Sequence, residues 1–135
     1  MTLATKYRWT EAIAEKEKAM LDAEEMAHKI PAFVGQLKQR HPHLDWKEIL
    51  VNTASLLERL GKENLLTPAK LNDIPVKVRV GVGDKDAMVS LDETVEAKQL
   101  KLGSLYVLPD TNHPFEKVNQ EVLICQIRNF FFNDL

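Results

Sequence analysis

The part of this chain that most limits its possible folds lies in its second half. "PVKVRVGVGD" is a β-branched run of period two, with Val76, Val78, Val80 and Val82 alternating with Lys77, Arg79 and Gly81. "SLYVLP" is a second short apolar run. Between them, "SLDETVEAKQLKLG" reads as a helix of about ten residues, with Ser90 and Glu93 as a capping box and Gly103 as terminator. "EKVNQEVLICQIRNFFFNDL" reads as a closing helix carrying Val118, Val122, Leu123, Ile124, Ile127, Phe130 and Phe131. Strand, helix, strand, helix at these lengths predicts adjacent parallel strands joined by a right-handed crossover, an α/β arrangement. Lys77 and Arg79 are unusual in a strand buried on both faces. Either one sheet face is thinly covered there, or their stems pack and their heads reach outward.

Upstream the pattern is helical. "RWTEAIAEKEKAMLDAEEMAHKI" carries an apolar face, and Asp22 with Glu25 as capping box predicts two helices meeting near Leu21. Pro31 interrupts the pattern and restarts it. "HPHLDWKEILVNTASLLERLG" is the clearest helix, capped by Asp45, with Trp46, Ile49, Leu50, Thr53, Leu57 and Leu60 on one face and Gly61 as the stop. Pro68 after Thr67 predicts a short helix. The expected division is 1–69, helical, and 70–135, α/β.

At pI about 6.1 and net charge −2, nothing attracts polyanions, so no nucleic-acid or anionic-membrane partner is expected. No apolar run approaches the ~20 residues of a membrane span, and "MTLATKYRW" is too short and polar for a signal peptide, so the expected compartment is the cytoplasm. The single cysteine, Cys125, excludes an internal disulfide and reads as a buried, inert thiol. His41 and His43 form an H-x-H with Asp45 near, but no further Cys or His stands close in sequence; a solvated loop is expected, not a metal site. No cofactor is expected: "GVGDKD" contains G-x-G but lacks the third glycine of a dinucleotide fingerprint. Trp9 and Trp46 read as helix anchors.

Chemistry in a parallel α/β sheet gathers at the carboxyl ends of strands. Two loops qualify. "GVGDKDAMV" offers Asp84 and Asp86; "PDTNHPFE" offers Asp110 and His113. Adjacent strands make these loops neighbours. A carboxylate on one and an imidazole on the other form a base–orienter pair: the acid fixes the tautomer, and the other ring nitrogen takes a proton. On residue types alone, the same residues also read as solvated loop side chains.

From Lys70 onward the chain resembles the C-terminal part of the α/β-hydrolase superfamily. "IPVKVRVGVGDKDAMVSLDET" is similar to the family's seventh strand and acid loop, an apolar strand followed by Gly, x-x-Asp and an apolar pair. "GSLYVLPDTNHPFEKVNQEVLICQIRNFF" resembles the eighth strand, histidine loop and last helix. The resemblance implies Asp86 as triad acid and His113 as base, in the family's acid-before-histidine order, with Asp84 shaping the turn. Asn112 stands where many members have Gly, and Asn also accepts a left-handed backbone. "TLATKYRW" looks like the tail of the sixth strand, and the helices from Thr10 to Gly61 look like the inserted cap or lid. The implied fold is thus a truncated α/β-hydrolase: a cap segment, then a β-α-β-α unit.

The family's nucleophile motif G-x-S-x-G is absent from this sequence, whose serines are Ser55, Ser90 and Ser104. The resemblance therefore implies the acid and base of an acyl-bond hydrolase acting on a small ester-like substrate, without nucleophile or oxyanion hole, and no activity from this chain by itself. Its expected partners are the missing N-terminal half of the hydrolase, or a second copy meeting the open sheet edge on the sixth-strand side. The alternative is a non-catalytic oligomerising or partner-binding α/β module.

Overall fold

The computed structural model describes residues 1–96, 100–113 and 117–132. The chain forms two compact units, one of residues Trp9–Leu65 and one of Met1–Arg8 with Leu66–Leu135.

The first unit is helical: α1 (Glu11–Lys18), α2 (Ala23–Lys29), α3 (Pro31–Arg40) and α4 (Trp46–Lys62). Each begins where an N-terminal signal stands. The Thr10 side chain accepts from the Ile13 N–H, Asp22 from Glu25 at 2.8 Å and Asp45 from Lys47 at 2.9 Å, and Pro31 takes the first position of α3. Met26, Val34, Trp46 and Leu50 form the core of this unit. Gly61 does not stop α4, which runs on to Lys62. It is a packing residue instead. A Cβ there would stand 2.6 Å from the Ala14 Cβ and 3.2 Å from the Thr10 carbonyl, so the missing side chain lets α1 lie close against α4.

Gly35 is the opposite case. It sits inside α3 with nothing within 4 Å of where a Cβ would lie. Gly35→Ala is expected to stabilise this unit by about 0.5–1 kcal/mol, through helix propensity alone. A denaturation midpoint that stays level or falls would contradict the open space.

The second unit contains α5 (Pro68–Asn72), β1 (Val78–Gly83), α6 (Leu91–Val95), β2 (Gly103–Leu108) and α7 (Gln120–Phe131). β1 pairs with β2 in parallel, from Val78 opposite Gly103 to Gly83 opposite Leu108, so this part is α/β as expected. Along the other edge of β1, the Thr2 N–H donates to the Arg79 carbonyl at 2.9 Å and the Ala4 N–H to that of Gly81 at 2.8 Å. One sheet face buries Val80 with Tyr7, Leu71 and Leu100. The other buries Tyr106 and Leu108 with Val118, and Val122 and Leu123 of α7 pack against them.

Several local expectations shift. Val76 is exposed and precedes the strand, and Gly103 begins β2 rather than ending a helix. The expected continuation of α6 includes 97–99, outside the described residues, as are 133–135 of the closing helix. Cys125 is exposed, because α7 buries none of its residues fully. Two strands ~5 Å apart offer too narrow a face to cover a helix ~10 Å across. Arg79 uses that thin cover. Its guanidinium lies 5.2 Å from the Phe130 ring centre, Nε donates to the Ser104 hydroxyl at 3.2 Å, and Nη1 donates to the Gln126 carbonyl at 3.3 Å. Among the described residues, no helix is long and apolar enough to cross a membrane.

Candidate functional site

The β1–α6 and β2–α7 loops meet at the carboxyl end of the sheet and bring Asp86 and His113 together. Asp86 Oδ1 accepts from the Met88 and Val89 N–H groups at 2.8 Å each, a side-chain turn that fixes the carboxylate before any partner arrives. Its Oδ2 faces His113 Nδ1 at 3.0 Å. The Asp86 side chain is only 1% exposed, whereas that of His113 is 33% exposed. A carboxylate can only accept, so Nδ1 carries the proton and the Nε2 lone pair is left bare. Nε2 has no hydrogen-bond partner among the described residues. A neutral imidazole oriented in this way can act as a general base through Nε2.

The histidine loop is held by Asp84, which the resemblance placed in the turn, together with Thr111, Lys85 and Gly83, which the sequence did not single out. The Asp84 carboxylate accepts from the Thr111 N–H at 3.0 Å, and the Lys85 N–H donates to the Thr111 carbonyl at 3.1 Å. Lys85 also pairs through its side chain with Asp110. Gly83 has no room for a Cβ, which would collide with the Thr111 carbonyl. The left-handed residue of this loop is Asp110, at φ 54°, and not Asn112; a short polar side chain serves at the earlier position. The traceable signal was the G-x-G of β1, whose second glycine admits Thr111.

Backbone N–H groups of Thr111 and Asp110 hold the Asp84 carboxyl below its ordinary value of 3.8. A carboxylate lowered in the folded state stabilises above its unfolded pKa, and that contribution is lost as pH falls through the folded value. The stability difference between wild type and Asp84→Ala is therefore expected to be full at pH 5 and to shrink below about 4. Urea melts at a series of pH values check this; a constant difference down to pH 3 would contradict it.

Glu93 was expected to complete a capping box. Ser90 does cap α6, accepting from the Glu93 N–H at 3.0 Å, but the Glu93 carboxylate goes elsewhere. It accepts from the Arg8 N–H at 2.7 Å and from Lys6 Nζ at 3.3 Å, and Lys6 also donates to the Met88 carbonyl at 2.9 Å. These bonds brace the acid loop beside Asp86. The serine hydroxyls serve local structure: Ser55 donates to the Val51 carbonyl, Ser90 caps, and Ser104 meets Arg79. His41 and His43 are exposed, and among the described residues no three His, Cys, Asp or Glu side chains are grouped to hold a metal ion. No known family model, characterised protein or solved structure matches the chain.

Proposed function

We propose that Asp86 and His113 are the acid and base of a Ser-His-Asp triad in an α/β-hydrolase-type protein that cleaves an ester, thioester or related acyl bond. The serine and the oxyanion donors would come from a segment outside these 135 residues. One observation carries this reading: a buried carboxylate, held by two backbone donors, faces the Nδ1 of a histidine whose Nε2 is unpaired among the described residues. In the cycle, Nε2 takes the serine proton as the oxygen attacks the acyl carbon. The Asp86 carboxylate stabilises the imidazolium, and the proton then passes to the leaving group. Water repeats the sequence on the acyl-enzyme. The test is labelling with a fluorophosphonate probe. The 135-residue chain is expected to stay unlabelled, and the protein made from the full gene is expected to label on a serine. An unlabelled full-gene product sinks the proposal.

The exposed apolar residues favour a second reading, a non-catalytic module that associates with itself. Leu105, Val107, Ile124, Phe131 and Phe132 are all at least 39% exposed within the second unit. Light scattering that finds a monomer at high concentration would remove this reading.

A further inference from the structure

Thr111 is a buried point to which the histidine loop is fastened, at 3% exposure. Its N–H goes to Asp84 and its carbonyl accepts from the Lys85 N–H, so both of its backbone polar groups are tied to the acid loop. Its hydroxyl donates to the Pro109 carbonyl at 2.9 Å. Gly83 lies beneath it with no Cβ to push it away. His113 follows two residues later, within ~7 Å of chain. An anchor that near limits where the imidazole can stand. Of the two bonds on the Thr111 backbone, only the one to Asp84 depends on a side chain. The neighbouring Lys85–Asp110 pair is solvent-exposed and contributes little.

We propose that Asp84 is a positioning residue: its carboxylate pins the Thr111 N–H and thereby sets His113 Nδ1 against Asp86. The functional meaning of this pin rests on the triad reading; its geometry does not. A purely structural Asp84 would affect stability and leave the imidazole of the folded molecule unchanged. A positioning Asp84 controls which ring nitrogen holds the proton, because the tautomer is set by the Asp86 contact.

The experiment is long-range 1H–15N NMR of the His113 ring in the 135-residue chain near neutral pH, with the signals assigned by their loss in His113→Gln. The wild type is expected to show the Nδ1–H tautomer. Asp84→Asn retains a carbonyl acceptor for the Thr111 N–H and is expected to keep that tautomer. Asp84→Ala removes the acceptor and is expected to lose it. An unchanged tautomer in Asp84→Ala overturns the proposal, however much stability falls. Loss in the Asn variant also overturns it, since the acceptor is then still present. If Asp84→Ala does not fold, Asp84→Glu decides, because it moves the acceptor by one methylene while keeping the charge. A wild-type tautomer there overturns the pin, and loss of it supports the pin. None of these readouts uses catalysis. A failed fluorophosphonate labelling with an intact tautomer response would remove the triad and keep the pin.

Discussion

In the proposed hydrolase, His113→Ala is expected to lower kcat on an acyl ester by roughly 10⁶-fold, and Asp86→Asn by about 10⁴-fold. The two losses differ in kind. Without His113 nothing takes the serine proton. In Asp86→Asn the side-chain carbonyl can still accept from Met88 and Val89, so the turn survives. The amide NH₂ then points at Nδ1, which must become the acceptor, and the proton moves to Nε2. The base is present in the wrong tautomer. Steady-state kinetics with circular dichroism on each variant check this. An Asp86→Asn enzyme within tenfold of wild type would show that Asp86 does not orient the base.

Gly81→Val is expected to be the most damaging single change to the sheet, at about 3 kcal/mol or more. Gly81 stands opposite Tyr106 in the parallel register, and a Cβ at Gly81 would fall inside the Tyr106 ring. That ring crosses β1 so that its hydroxyl donates to the Thr2 carbonyl at 3.0 Å, and burial pushes its pKa up to about 12. Valine would evict the ring, and with it the hydroxyl's bond to the first residues. Shrinking the ring restores the space, so Gly81→Ala is expected to cost less in a Tyr106→Ala background than in wild type. Equal costs in the two backgrounds, measured by urea denaturation, would mean that ring and glycine are independent.

The helices of the first unit were readable because their signals are local. Asp22, Pro31 and Asp45 act within one turn, and each starts a helix where it stands. The parallel pair was readable because a helix long enough for a crossover lies between the two apolar runs. Glycines were misread where their reason is tertiary. Gly61 looks like a helix stop in sequence, yet its neighbour is Ala14 on another helix. Cys125 looked buried because it lies among apolar residues, but a periodic pattern cannot tell how wide a face will cover the helix.

The site divides in the same way. Strand ends offered Asp84, Asp86, Asp110 and His113, the α/β-hydrolase resemblance singled out Asp86 and His113, and these two meet at 3.0 Å. What holds them was legible only in part: the resemblance gave Asp84 a place in the turn, but not its partner. Asp84 bonds a backbone N–H 27 residues away, and Glu93 bonds the Arg8 N–H 85 residues away. Backbone donors carry no side-chain signature, so the sequence did not name the partners of Asp84 and Glu93.

The most direct test of the triad is to sequence the gene upstream of the codon for Met1. The expected result is an open frame that encodes a strand–turn–helix with G-x-S-x-G, roughly a hundred-odd residues before Met1. An in-frame stop just before Met1, with a start signal between them, would contradict it, because Asp86 and His113 would then have no serine encoded with them.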